Sequence, residues 1–146
     1  MAARLWWTLR WLGHEAVAVL DGGYARWIGE GRPATAEVPE YPVARFRPSM
    51  QAARSVDVSF VEQHLEHGEV LLLDARTAVR YRGEAEPIDP VAGRIPGALH
   101  RFCGENLGAQ GRFKPAQTLR AEFGALLAGR APQQAVHYCG SGGAAC

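Results

Sequence analysis

Apolar positions along the chain follow two rhythms, one of helices and one of buried strands. In ARLWWTLRWLG, Leu5, Leu9 and Leu12 recur with Trp7 and Trp11 at helical spacing, and Gly13 follows as a stop. The tryptophans read as core packing. The β-branched run Val17 to Leu20, ended by Asp-Gly-Gly, predicts a buried strand feeding a turn. YARWIGEG predicts a short helix with Trp27 turned inward. DVSFVEQHLEHGE predicts a helix carrying Phe60, Val61 and Leu65, with Asp57 or Ser59 as its cap. VLLLDAR is a continuous apolar run closed by polar residues, as expected of a buried parallel strand with functional groups at its carboxyl end. TLRAEFGALLAG predicts an amphipathic helix through Leu119, Phe123, Leu126 and Leu127, and QAVHYC a short strand entering a glycine loop.

Two stretches lack either rhythm. From Arg32 to about Ser55 the chain holds four of its nine prolines and reads as an extended linker. Between Thr77 and His100, Pro87, Pro90 and Pro96 exclude long regular elements. Strands alternating with helices predict an α/β fold with a parallel sheet.

Composition narrows the function classes. The chain has 146 residues, 47% of them hydrophobic and 21% charged, with a formal net charge of +1. That is the profile of an ordinary globular domain without an electrostatic footprint for nucleic acid or an anionic membrane. Lys114 is the only lysine, and the arginines are dispersed rather than clustered. No apolar run reaches transmembrane length. Arg4 and Arg10 interrupt the opening apolar stretch, which argues against a secretory signal. An odd, low count of three cysteines fits reduced thiols and a cytoplasmic location.

The chemistry concentrates in HYCGSGGAAC. A strand followed by Cys139 and small residues puts a thiol at the carboxyl end of a sheet, where successive backbone N–H groups converge on it. Such a nest stabilises a thiolate. A plain structural cysteine is the competing reading, although a core thiol needs no glycine loop. A phosphatase-type anion loop would place an arginine six positions after the cysteine, where this chain has Ala145. Zinc would draw on His100, Cys103, His137, Cys139 and Cys146, whose spacings match no common structural site.

Taken in order, these pieces resemble a rhodanese-type sulfurtransferase of the two-domain branch that includes thiosulfate and 3-mercaptopyruvate sulfurtransferases. LLLDAR, RYRGEAEPIDPVAGRIPGAL, GRFKPAQTLRAEF and HYCGSGGAAC resemble the catalytic repeat, and RLWWTLRWLG with VAVLDGGYARW resembles the end of the preceding repeat. The resemblance implies a rhodanese-like parallel sheet flanked by helices. It divides the chain into residues 1–31 (end of an N-terminal repeat), 32–56 (linker) and 57–146 (catalytic domain lacking its last helix–strand–helix). It implies that Cys139 carries a sulfane sulfur as a persulfide, passed from a small-molecule donor to a thiophilic acceptor such as cyanide or a thiol. Gly140, Ser141, Gly142, Gly143 and Ala144 would form the persulfide cradle. Arg80 would bind the donor anion, and Asp74 and Arg76 would organise the strand end. No metal and no cofactor beyond the covalent persulfide are expected. For Arg80 a local salt bridge to Glu84 at i+4 is the competing reading.

The chain departs from the family at several positions. Gly143 and Ala144 replace a valine and a threonine of the usual loop, and Arg94 replaces a histidine. Asp89 stands where mercaptopyruvate enzymes carry a second carboxylate-binding arginine, and Gly140 and Ser141 stand where thiosulfate enzymes are basic. The donor therefore stays open between thiosulfate and 3-mercaptopyruvate. The family places a helix, a strand and a helix after the nucleophile loop, so the resemblance implies a fragment. Residues 4–30 are that same unit from the neighbouring repeat, so a permuted closure or a domain-swapped dimer is an expected partner arrangement. Two other functions stay open: a non-catalytic interaction module, and a redox-sensing thiol resolved by Cys146.

Overall fold

The computed structural model describes residues 2–146. In chain order its elements are α1 (Ala2–Trp11), α2 (Gly23–Gly29), α3 (Val58–Leu65), β1 (Leu71–Asp74), α4 (Ala78–Arg82), β2 (Leu99–His100), α5 (Ala116–Leu127) and β3 (Ala135–Tyr138). The three strands form a parallel sheet ordered β2-β1-β3.

The unbroken LLLD run of β1 is central, and every one of its residues is buried. Leu71, Leu72, Leu73, Ala75 and Ala98 are the buried apolar residues. A central strand of a parallel sheet whose two faces are both covered has no solvent side, which is why β1 shows no alternation. Register pairs Asp74 with His100 on one side and with Tyr138 on the other. The three strands thus end level, and the loops that follow them open on the same edge.

Local chemistry sets the helix ends. The Asp57 carboxylate accepts the Phe60 N–H at 2.8 Å, so Asp57 rather than Ser59 caps α3. Helix α1 ends at Gly13, which has φ +84°. The His14 N–H reaches the Leu9 carbonyl at 2.8 Å and the Gly13 N–H reaches that of Arg10 at 3.1 Å, a Schellman pair. The remaining carbonyls of Trp11 and Leu12 accept from Gln51 and Ser49, which ties the linker to the helix end. Arg101 anchors α5: its guanidinium meets Glu122 and Asn106 and lies 4.9 Å from the centre of the Phe123 ring.

Two expectations are corrected. Val17 to Leu20 runs without a ladder partner, and Leu20 is 53% exposed. A β-branched run becomes a strand only where a sheet edge receives it, and neither outer edge of the β2-β1-β3 sheet pairs with this one. The tryptophans do not enter the core either. All four lie in α1 and α2 and are half-buried. Trp7 and Trp11 stack on each other with ring centres 5.7 Å apart, and Trp27 donates to the Pro33 carbonyl of the linker at 2.7 Å. No helix among the described residues is long and apolar enough to cross a membrane.

Candidate active site

The level strand ends bring Asp74, Arg76, Tyr138 and Cys139 to one edge. The Asp74 carboxylate is fully buried, because its Cα lies in the central strand. It accepts the Arg76 backbone N–H at 2.9 Å, and Arg76 Nη2 and Nε at 2.8 and 3.1 Å. Burial opposes its charge, but the Arg76 bonds prevail and hold its carboxyl below the usual range. Those same bonds raise Arg76 against its own burial. The hydroxyl of half-buried Tyr138 lies beside Asp74. Burial first and that carboxylate second push the phenol up to about 12. The hydroxyl also accepts the Ile95 N–H at 3.3 Å, which fixes the residue immediately before Cys139.

Arg80 projects from α4 toward the same edge. Glu84, the i+4 partner of the competing reading, instead binds Arg82, with Nε 2.6 Å from the carboxylate. Arg80 meets Glu86 through Nε at 3.0 Å and Nη2 at 2.7 Å, and Asp89 through Nη2 at 2.8 Å. The i+4 rule fails here because α4 is only five residues long, and the proline-rich turn after it folds back over its end. Glu86 is the hub of that turn. Its carboxylate also accepts the N–H groups of Asp89 and Ile88 at 3.0 and 3.1 Å. Bonds from Arg80, then from the Asp89 amide, hold Glu86 at about 2 despite burial. Sequence reasoning missed Glu86. The available signal was a carboxylate preceding a proline turn, two and three residues before amides that need acceptors.

Cys139 follows β3 directly, and the residues after it form bends and a turn rather than a helix. Among the described residues, no amide from Gly140 to Ala144 donates to a protein acceptor, so these N–H groups are available to cargo. Gly142 takes φ +72°, a conformation that keeps the loop tight. A Cβ added to Gly140 would stand 3.1 Å from Arg80 Nη2 and 3.5 Å from an Asp89 oxygen. The Arg80–Asp89 pair therefore abuts the first residue of the loop. A cavity of about 360 Å³ opens between Arg76, Asp89, Gly93, Arg94, Tyr138 and Cys139. The Arg94 guanidinium lies 4.4 Å from the centre of the Tyr81 ring.

The loop end meets the start of the chain. Arg4 Nη1 lies 4.0 Å from where a Cβ on Gly143 would sit. Trp7 of α1 and Phe60 of α3 wall a second cavity of about 690 Å³ together with Val136 and Cys146. Burial, then the neighbouring Cys139, raises the Cys146 thiol, which donates to the Gly142 carbonyl. All three cysteines are free thiols.

Comparison with known proteins bears on the fold and the family. The fold aligns with SseA from Escherichia coli, whose structure is described as the rhodanese fold of 3-mercaptopyruvate sulfotransferases. That match has a TM-score of 0.78 and 30% identity, covering 97% of this chain and 53% of SseA. The chain is 44% identical over 146 residues to a probable 3-mercaptopyruvate sulfurtransferase of Pseudomonas aeruginosa, covering 99% of this chain and 51% of that protein. The chain belongs to the rhodanese-type sulfurtransferases. Within that family it is also 33% identical over 125 residues to the thiosulfate sulfurtransferase of Bos taurus, covering 84% of this chain and 42% of that protein. No protein-family model matches the chain. The chain spans about half the length of the curated sulfurtransferases it matches.

Proposed function

We propose that this chain transfers a sulfane sulfur from thiosulfate or 3-mercaptopyruvate to a thiophilic acceptor through a persulfide on Cys139. The observation that carries the reading is the setting of Cys139. It stands at the end of a sheet strand, faces a cavity, and is followed by a run of amides without protein acceptors. The donor's outer sulfur bonds to the Cys139 thiolate as its bond to the donor breaks. The terminal sulfur of the persulfide is then stabilised by N–H groups of Gly140, Ser141, Gly142, Gly143 and Ala144. Asp74 and Arg76 keep Tyr138, and with it the strand end, in place, while Arg80 supplies the cation nearest the loop. The covalent sulfur is the only carrier this cycle needs.

Sulfurtransferase relatives of both donor types support this reading. On it, residues 57–146 act as the catalytic rhodanese domain and residues 1–31 as the end of a preceding repeat, joined by linker 32–56. Reduced cysteines favour the cytoplasm. The test is intact-mass spectrometry of the reduced protein after separate incubation with each donor, alongside Cys139→Ser. A gain of one sulfur, released by cyanide and absent from the variant, is expected. A folded protein that gains no sulfur from either donor refutes the proposal.

A further inference from the structure

We propose that Asp89 determines the charge of the acceptor that removes sulfur from the Cys139 persulfide, favouring small thiols that carry an ammonium group over those that carry only an anion. The inference rests on Cys139 being the sulfur carrier. Two guanidiniums near the loop, Arg76 and Arg80, face three carboxylates, those of Asp74, Glu86 and Asp89. The roles of the three differ. Asp74 is fully enclosed by Arg76, and Glu86 is only 4% exposed between both arginines. Asp89 has 35% of its side chain exposed, and it lines the cavity that holds Cys139. Its Oδ2 lies 2.8 Å from Arg80 Nη2 and 3.6 Å from Arg76 Nη1. The cation nearest the loop is therefore already doubly occupied by carboxylate.

An acceptor that is only anionic must displace Asp89 from Arg80 or bind beside its negative charge. A cationic group meets the exposed face of the same carboxylate. Arg94 is the remaining cation of the cavity wall, and its guanidinium is stacked on the Tyr81 ring with Nη1 3.5 Å from the Tyr81 carbonyl. In the transfer step an acceptor thiolate attacks the outer sulfur of the Cys139 persulfide, and the S–S bond to Cys139 breaks. Cys139 leaves as a thiolate while the acceptor departs as a persulfide, so the exchange needs no outside oxidant or reductant. An acceptor whose ammonium rests against Asp89 delivers its thiolate into the cavity without adding net charge there.

The experiment measures the rates at which 2-aminoethyl and 2-sulfonatoethyl methanethiosulfonate modify Cys139, read at that residue by fragmentation mass spectrometry. The same pair of rates on free 2-mercaptoethanol, an uncharged thiol, supplies the reference ratio. The wild-type ratio, amino over sulfonato, is expected to exceed the reference and to fall toward it as salt is raised. Asp89→Asn is expected to lower the ratio by about tenfold and Asp89→Arg by more. A wild-type ratio at or below the reference, or a ratio unmoved by Asp89→Asn, overturns the proposal. The reagents react with any accessible thiol. A failure to form persulfide would therefore refute the sulfur-transfer reading without touching this measurement. With persulfide formed, cysteamine should outpace 3-mercaptopropionate as acceptor, and the preference should reverse in Asp89→Arg.

Discussion

Replacing Asp74 should be the most damaging single change to the sheet edge. Its carboxylate is fully buried and accepts Arg76 through both the backbone and the guanidinium. Asp74→Ala leaves that guanidinium, on a side chain only 7% exposed, facing an empty site in the interior. Breaking one partner of a buried pair costs about 3–5 kcal/mol, because the survivor keeps its desolvation penalty. Glu86 and the Gly93 carbonyl still contact Arg76 and should hold the loss to the lower part of that range. Against a typical domain stability of about 5–15 kcal/mol, this is a large fraction. Urea denaturation followed by far-UV circular dichroism measures it. The companion variant Asp74→Leu/Arg76→Met removes both charges and should be less destabilised than the sum of the single changes by at least ~1 kcal/mol. Additivity within ~0.5 kcal/mol, or a loss below ~1 kcal/mol for Asp74→Ala, would show that the pair does not anchor the edge.

Three further outcomes follow from the same geometry. Asp74 and Glu86 are held below their ordinary values in the folded chain, Glu86 at about 2, so the unfolded chain binds more protons in acid. Their contribution should be complete above about pH 4.5 and vanish as pH falls toward 2, which acid titration of the urea midpoint reads directly. Gly13→Ala forces a side chain into φ +84° with its Cβ 2.7 Å from the Ser49 carbonyl oxygen. It should cost about 1–2 kcal/mol and speed proteolysis of the linker. Gly140→Ala pushes its Cβ to 3.1 Å from Arg80 Nη2 and should slow sulfur loading of Cys139 by roughly tenfold with circular dichroism unchanged.

Where the sequence was legible, the controlling forces were local. Asp57 three residues ahead of Phe60, Gly13 after a leucine stripe, and an apolar LLLD run each decide their structure within a turn or a strand. The strand that leads into Cys139 was legible as well, because strand, thiol and small residues are contiguous. Val17 to Leu20 was misread because the difference between a strand and an extended segment lies in its neighbours, which periodicity does not contain. Strand β2, only Leu99 and His100, owes its existence to pairing with Leu73 and Asp74. For Arg80 the competing reading, a salt bridge to Glu84, named the wrong carboxylate. The turn that brings Glu86 and Asp89 back is a tertiary closure, and no helical spacing rule reports it.

The placement of the four tryptophans, all within α1 and α2, has an optical consequence. Sheet and candidate site contain none, so intrinsic fluorescence watches the start of the chain while circular dichroism is weighted by helices throughout. If the two signals melt together, the Gln51 N–H to Trp11 carbonyl bond and the Phe113 N–H to Asp21 carboxylate bond couple the halves into one cooperative unit. If emission shifts first, the opening helices are a separate lobe that detaches while Cys139 still sits on an intact sheet. A fluorometer and a spectropolarimeter reading one cuvette therefore separate the two architectures without labelling a residue.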